Sequence, residues 1–486
     1  MTWEGQKPHF VLFPLMAQGH MIPMMDMAKI LLHQNVVVTI VTTPHNAARF
    51  SSVIHRYVEC GFPIRFVELQ FPCEEAGVPD GCENLDMMPS LATAPSFYNA
   101  TRLLQQPVEK LFEELTPPPS CIISDMCFPY TSHVAKKFNI PRVSFLGVSC
   151  FCLLCLHNAR SYNVMDSITS DSESFVVPGI PDKIEMTKAK IGQPTNDFWK
   201  KFGEEIMAAE MASYGIIMNS FEELEPAYAR EYAKVRGDKL WCIGPVSLIN
   251  KDQLDKAERG RASIDVSQYL KWLDCQKPGT VIYVCLGSLC NLTAPQLIEL
   301  GLALEASQRP FIWVIREGGH SEELEKWIKE YGFEERSNGR SLLIRGWAPQ
   351  ILILSHPAIG GFITHCGWNS SLEALCAGVP MITWPLFADQ FLNESLLVNV
   401  LKVGVKVGVE VPVRWGKEVE IGVLVKKEDV ERAIAMLMYE TTEREERRKR
   451  VREFAEMAKR AVEKGGSSYS NITSLIQDIM QKNKES

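Results

Sequence analysis

Short runs of β-branched and aromatic residues recur along this chain with helical stretches between them, and few folds accommodate that rhythm. His9–Leu15, Val36–Thr42, Ile64–Leu69, Cys121–Ser124, Arg142–Leu146 and Gly215–Asn219 read as strands, with a helix at Ile22–His33. Alternation of this kind produces a parallel sheet covered by helices on both faces. The rhythm stops after Pro245, where residues 246–263 (VSLINKDQLDKAERGRAS) are polar and charged, as in a linker. It restarts with strands at Thr280–Leu286, Phe311–Ile315, Ser341–Arg345, Ile359–Thr364 and Met381–Thr383 and a helix at Ala294–Ser307. The expected class is α/β, with two doubly wound domains, 1–245 and 264–464, facing across a cleft. At 486 residues the chain exceeds what one core holds, which agrees with two domains. Ligands of such sheets sit outside the carboxyl ends of the strands.

Composition removes several classes of function. A net charge of −8 disfavours nucleic acid, whose phosphates need a basic face. The 14 cysteines are scattered through apolar runs such as CFCLLC at 150–155, which suits buried thiols in a reducing compartment. Only Cys152 and Cys155 have the CxxC separation, and no second pair stands at zinc spacing. The opening MTWEGQKPHF has no leader-like core, and no window has the roughly 18–20 apolar residues of a membrane span. The expectation is a cytosolic protein with no membrane span, with the sequons at Asn99, Asn291 and Asn471 unused. Nothing requires more than a monomer. The charged stretch Thr441–Lys464 reads as a solvated helix with acidic and basic residues at helical spacing, and Ser468–Gln481 as an amphipathic helix. Pro72–Pro95, rich in Pro, Gly, Asn and acidic residues, reads as a long surface loop near a substrate.

The segment Trp347–Gln390 carries the chemistry: WAPQILILSHPAIGGFITHCGWNSSLEALCAGVPMITWPLFADQ. Gly360–Thr364 is β-prone, His365-Cys366-Gly367 turns the chain, and Asn369-Ser370-Ser371 are placed to cap a helix opening at Leu372. A helix start fed by a buried parallel strand offers backbone N–H groups and a positive dipole end to an anion, and a diphosphate suits it.

This segment resembles, nearly position for position, the C-terminal signature of plant UDP-dependent glycosyltransferases acting on small molecules. The resemblance continues through FPLMAQGHMIPMMDMA near the start and VCLGS at Val284–Ser288. It implies the two-Rossmann-domain GT-B fold, with acceptor held mainly by the first half and UDP-sugar by the second. It also implies that the helix in 465–486 returns to the N-terminal domain. Carried over residue by residue, Trp347 stacks on uracil and Ala348 bonds the base through its main chain. Gln350 and Glu373 contact the ribose hydroxyls, and His365, Asn369 and Ser370 hold the diphosphate. Ser288 adds a phosphate or sugar contact, and Trp368, Asp389 and Gln390 read the hexose hydroxyls. Gln390 in the last signature position resembles glucose-using members, so the implied donor is UDP-glucose, as co-substrate rather than cofactor. Some relatives carry a threonine that touches the donor sugar where this chain reads FLGVSC with Gly147, so no side-chain contact is carried over there.

His20 closes the turn MAQGH beyond the first strand, where Gly19 permits tight geometry and Pro23 fits a helix's first turn. The resemblance makes His20 the general base and Asp125, ending the apolar strand CIISD, its partner. An attacking hydroxyl must lose its proton, imidazole can take it near neutral pH, and a carboxylate fixes the tautomer and stabilises the imidazolium. A single displacement with inversion follows. No Asp-x-Asp stands anywhere, so a metal-bridged diphosphate lacks its usual ligand pair, and no metal is expected.

The acceptor pocket is expected to be apolar, walled by MIPMMDM (21–27), the loop 86–95 and FLGVSCFCLLCLH (145–157). FCLLC, FPCEEAGVPDGCEN and VPVRWG resemble a subgroup whose members glycosylate triterpenoids, flavonoids and steroid-like hormones. A triterpenoid or flavonoid is the expected acceptor; a steroid-like hormone or cytokinin, or another UDP-sugar as donor, is the alternative. An epimerase or hydrolase would share the diphosphate site but not explain an apolar acceptor half. A non-catalytic binding protein would not need both His20 and Asp125. A nicotinamide oxidoreductase would need a G-x-G-x-x-G where MAQGH stands.

Overall fold

The computed structural model describes residues 7–192, 196–257, 259, 266–290, 292–316 and 321–485. Contacts divide the chain into two units. One comprises Met1–Cys150, Pro194–Lys251 and Arg460–Ser486, and the other Phe151–Gln193 and Asp252–Lys459. In chain order the strands are β1 (His9–Phe13), β2 (Val37–Thr42), β3 (Ile64–Glu68), β4 (Cys121–Asp125) and β5 (Arg142–Leu146). A hairpin follows, β6 (Ser174–Val176) and β7 (Glu185–Thr187), then β8 (Gly215–Met218) and β9 (Leu240–Cys242). The last six are β10 (Val281–Cys285), β11 (Phe311–Ile315), β12 (Ser341–Arg345), β13 (Ile359–Thr364), β14 (Met381–Thr383) and β15 (Gly404–Lys406).

The first unit holds a seven-stranded sheet in the order β3-β2-β1-β4-β5-β8-β9, parallel throughout. Its inner strands are almost wholly apolar because helices cover both faces, which leaves no solvent side to favour alternation. Chain order reverses between β1 and β4, so the loops leaving these two strands diverge and open a crevice at their carboxyl ends.

The helix Ser467–Glu485 belongs to this unit and places Ile472, Leu475, Ile476 and Ile479 in its hydrophobic core. Their i, i+3, i+4, i+7 spacing makes one apolar stripe, and each buried side chain contributes about 1.5–3 kcal/mol. Residues at the head of the expected linker are packed here too. Val246 lies in the core, and buried Asn250 donates to Asp26 Oδ1 at 2.8 Å while accepting from Lys29 Nζ at 2.6 Å.

The second unit holds a six-stranded parallel sheet, β12-β11-β10-β13-β14-β15, with its reversal between β10 and β13. Tyr283 of β10 stacks on Phe362 of β13 with ring centroids 5.0 Å apart. The charged helix Thr442–Val462 carries i, i+4 ion pairs such as Lys449–Glu453 and Arg450–Glu446. It is not solvated all round: Val451, Ala455 and Ala458 are buried, and Arg448 reaches in to the carbonyls of Gly279 and Gly360.

Pro72–Pro95 contains short helical turns at Cys73–Ala76, Leu85–Met87 and Leu91–Thr93. Buried Asn84 donates to Asn46 Oδ1, and the Leu85 amide donates to the Met16 carbonyl at 2.9 Å, which ties the loop to the turn before His20. Among the described residues no helix is long and apolar enough to cross a membrane. Asn99 is exposed, Asn471 donates to Glu222 and to the Cys242 carbonyl, and Asn291 lies outside the described residues.

Candidate functional site

In the first unit the switch point brings together two residues 105 positions apart in sequence. His20 stands in the first turn of the helix Gln18–His33 that follows β1, and Asp125 is the last residue of β4. Because β1 and β4 pair in parallel with Phe13 opposite Ser124, their following residues emerge on the same edge. His20 Nδ1 lies 2.7 Å from Asp125 Oδ2. The Asp125 side chain is 4% exposed and that of His20 38%, so the carboxylate is enclosed while the ring reaches solvent. With the carboxylate accepting the Nδ1 hydrogen, the lone pair resides on Nε2, the nitrogen that can then take a proton.

Asp125 is held from its other side as well. Its Oδ1 accepts the Cys127 amide at 2.9 Å, closing an Asx turn. Burial, then the neighbouring Asp125 carboxylate, pushes the Cys127 thiol well above its ordinary value, so it stays protonated and bonds that carboxylate. The Tyr98 phenol, pushed up by the same burial, hydrogen-bonds Cys127. Neither residue stands out in the sequence, because the turn uses the main-chain amide of residue 127 and places no demand on its side chain.

In the second unit the equivalent crevice lies between β10 and β13. Ser288 sits in the turn after β10, and His365 immediately follows β13. The His365 ring is wedged between the two turns: a Cβ on Gly287 would lie 2.6 Å from Nε2, and one on Gly367 closer still. Gly287 also has φ +86, a conformation side chains resist. Burial lowers the His365 pKa to about 4 against an opposing hydrogen bond from the ring to the Cys285 backbone, so the ring is neutral at physiological pH. Its Nδ1 is buried without a hydrogen-bond partner.

The helix after this turn opens earlier than the sequence suggested. It spans Trp368–Ala377 with Gly367 as N-cap and no side-chain cap, so Asn369, Ser370 and Ser371 lie within its first turn instead of capping a start at Leu372. The Ser371 amide is the first to bond back, to the Gly367 carbonyl at 3.0 Å. Trp368, Asn369 and Ser370 thus occupy the first turn, at the positive end of the helix dipole, the end that attracts anions. Trp368 is 2% exposed.

One expected nucleotide contact, Gln350, bonds to this helix, with two more just ahead of it in the chain. Trp347, half-buried, and Ala348, 6% exposed, follow β12 after Gly346. Gln350 opens the next short helix and donates through Nε2 to Ser370 Oγ at 2.9 Å and Glu373 Oε2 at 2.8 Å. Glu373, 7% exposed, also accepts from Arg259 at 2.6 Å through Oε1.

After β14 the chain turns through Ala388, at φ +55, into the helix Gln390–Ser395. Asp389 is the N-cap residue but makes no side-chain cap bond. Its Oδ2 instead accepts from Asn393 Nδ2 at 2.7 Å. Gln390 Oε1 accepts the amides of Leu386 at 2.8 Å and Phe387 at 3.1 Å, which fixes which end of the amide faces away from the chain. Asn393 and Arg259 are absent from the sequence reading. The first stands at i+4 from Asp389, a legible spacing; the second pairs across 114 residues with nothing local to announce it.

The expected acceptor wall is only partly available. Met21, Met24, Met25 and Met27 fill the first unit's hydrophobic core, so the run 21–27 is chiefly structural. Among the described residues no three His, Cys, Asp or Glu side chains gather as a metal site would require.

Comparison with known proteins agrees with this arrangement. A family model described as UDP-glucoronosyl and UDP-glucosyl transferase matches residues 268–414, and one described as the glycosyltransferase N-terminal domain matches 9–248. UDP-glycosyltransferase 73C5 of Arabidopsis thaliana is 56% identical over 99% of this chain and 98% of its own length. UDP-glycosyltransferase 73C12 of Barbarea vulgaris is also 56% identical, over 99% of this chain and 98% of its own. The crystal structure of Glycyrrhiza uralensis UGT73P12 complexed with glycyrrhetinic acid 3-O-monoglucuronide superposes with a TM-score of 0.89. It is 38% identical and covers 99% of this chain and 97% of its own. Arabidopsis thaliana UGT89C1, solved with UDP-L-rhamnose, gives a TM-score of 0.75 at 28% identity, covering 98% of this chain and 100% of its own.

Proposed function

This chain belongs to the UDP-dependent glycosyltransferases of plants, and from that premise we propose that it transfers glucose from UDP-glucose to a hydroxyl of an apolar metabolite, a triterpenoid or flavonoid, with inversion and without a metal. The observation that carries the catalytic part is the 2.7 Å contact between His20 Nδ1 and Asp125 Oδ2 at the switch point of the first sheet. The acceptor O–H gives its proton to His20 Nε2 while its oxygen attacks the anomeric carbon from the face opposite the diphosphate. The bond from that carbon to the phosphate oxygen breaks, its electron pair leaves with UDP, and the configuration inverts. Asp125 stabilises the imidazolium that forms, and a positioned base of this kind is worth roughly 10²–10⁴ in rate.

For the donor, the proposal assigns uracil to Trp347 and Ala348, ribose to Gln350 and Glu373, and diphosphate to His365, Asn369, Ser370 and Ser288. The hexose falls to Trp368, Asp389 and Gln390. Support comes from the first turn at the positive end of this helix and from a His365 that burial keeps neutral, so that it serves as a hydrogen-bonding group and not as a counter-charge. Gln390, with its carbonyl already bonded to two backbone amides, presents NH₂ donors to sugar oxygens. Donors at the leaving diphosphate stabilise charge as it develops.

Glycyrrhetinic acid, whose glucuronide accompanies the relative at 38% identity, is a triterpenoid, which favours that half of the acceptor proposal. A cytosolic enzyme acting as a monomer and needing no cofactor completes the reading. The test is an assay with UDP-glucose and chelator against hydroxylated triterpenes, flavonoids, steroid-like hormones and cytokinins, with product mass and anomeric coupling constants read out. A single added hexose in β-linkage is expected. A strict divalent-ion requirement, retention of configuration, or preference for another UDP-sugar would overturn the corresponding part.

A further inference from the structure

We propose that Arg259 is a positioning residue for the donor: it holds the Glu373 carboxylate in the orientation that receives the ribose, so a residue ahead of the second sheet takes part in nucleotide recognition. The inference rests on the reading of Glu373 as the ribose-binding carboxylate.

Glu373 lies in the helix Trp368–Ala377 and is 7% exposed. A carboxylate that deep is costly unless partnered. Two segments partner it, one on each oxygen. Arg259 bonds Oε1 at 2.6 Å, and Gln350 Nε2 bonds Oε2 at 2.8 Å. The Arg259 side chain is itself only 10% exposed, so the pair is shielded from solvent screening. Each carboxylate oxygen can accept two hydrogen bonds, so a carboxylate gripped in this way still has capacity for two vicinal hydroxyls.

The charge balance points the same way. A nucleoside diphosphate brings negative charge to a site where Glu373 is already anionic, and like charges in a buried setting repel strongly. Arg259 neutralises the carboxylate through its bond to Oε1. The Arg259 bond to Oε1 and the Gln350 bond to Oε2 together fix the carboxylate plane.

The experiment measures binding of UDP and of 2′,3′-dideoxy-UDP to the full chain by calorimetry. Wild type is expected to prefer UDP by about tenfold or more, the scale of hydrogen bonds to a charged group. Arg259→Ala is expected to lose most of that preference and to raise KM for UDP-glucose more than it lowers kcat. Arg259→Lys, which keeps charge and solubility, should retain part of it. Glu373→Gln should abolish the preference, and adding Arg259→Ala to it should change little further. The proposal is overturned if Arg259→Ala and Arg259→Lys both keep the wild-type preference, or if they weaken UDP and its dideoxy analogue by the same factor. If wild type shows no preference, the ribose assignment of Glu373 fails, and the role of Arg259 falls with it.

Discussion

Asn393 uses both hydrogens of its side-chain amide, giving one to Asp389 Oδ2 at 2.7 Å and one to the Cys366 carbonyl at 2.9 Å. Cys366 is in the left-handed region at φ 64 in the turn after β13, outside the sheet ladder, so its carbonyl needs a donor from elsewhere. One fully buried side chain thereby ties the turn after β13 to the carboxylate expected to read the sugar. Asn393→Ala should cost about tenfold or more in kcat/KM for UDP-glucose, since it frees a charged acceptor and leaves a buried carbonyl unpaired. Steady-state kinetics with the donor varied checks this; an unchanged value would show that Asp389 needs no such support.

The dyad makes a separable prediction. His20→Ala should lower transfer by about 10²–10⁴ while UDP affinity stays within about twofold, because the base acts only as the acceptor proton leaves. Asp125→Asn should also be severely impaired, since an amide can stabilise neither the required tautomer nor the imidazolium. Rates and calorimetric UDP binding on the same preparations give the result, and unchanged transfer in His20→Ala would eliminate the general-base role.

How much of this was legible beforehand depended on sequence distance. The inner strands of both sheets are continuous apolar runs, and β5, β11, β12, β13 and β14 begin and end where the pattern placed them. β9 and β15, three residues each and at sheet edges, carry too little pattern to register, and so do β6 and β7. Asn369, Ser370 and Ser371 favour a late helix start because Asn and Ser are good caps, yet here glycine alone lets the chain turn past the His365 ring. Arg259 was hidden because its composition is that of a linker and its partner lies 114 residues away. The methionines of 21–27 were ambiguous by nature, since Met suits cores and pockets equally.

The wedged ring leads to a steric prediction. Gly287→Ala must move His365 or the turn after β10, because the added methyl would sit 2.6 Å from Nε2 on a backbone at φ +86. Nucleotide affinity should fall by about tenfold or more, with thermal stability reduced, as strain at such positions costs of order 1–3 kcal/mol. Wild-type UDP binding in this variant would mean the ring's placement is unimportant to the diphosphate.

His365 also sets a pH dependence whose sign follows from its lowered pKa of about 4 against an ordinary value of 6.5. Between those values the unfolded chain binds a proton that the native ring refuses, so stability rises with pH there. The contribution is complete above about pH 6.5 and is lost as pH falls toward 4. His9, also lowered by burial, acts in the same direction. Melting temperature should drop as pH falls from 7 to 4, and His365→Gln should flatten part of that slope. An identical slope in the variant would show that the ring protonates freely in the folded protein.

The last prediction concerns the helix Ser467–Glu485, which reaches the first unit's core from the far end of the chain. Leu475 is fully buried there, among side chains that include Phe10, Val38 and Trp241. Truncation to Ala removes apolar surface and leaves a cavity, at a cost of about 2–5 kcal/mol. Polar bonds at the head of the helix, from Ser468 to the Gly244 carbonyl and from Asn471 to that of Cys242, remain in the variant. The helix should therefore stay docked while the urea midpoint of this unit's transition falls. Because the His20–Asp125 contact and the Cys127 amide bond to Asp125 involve no residue of the helix, kcat at a temperature well below the new midpoint should remain near wild type. If kcat drops with no change in the midpoint, Leu475 serves the site rather than the core.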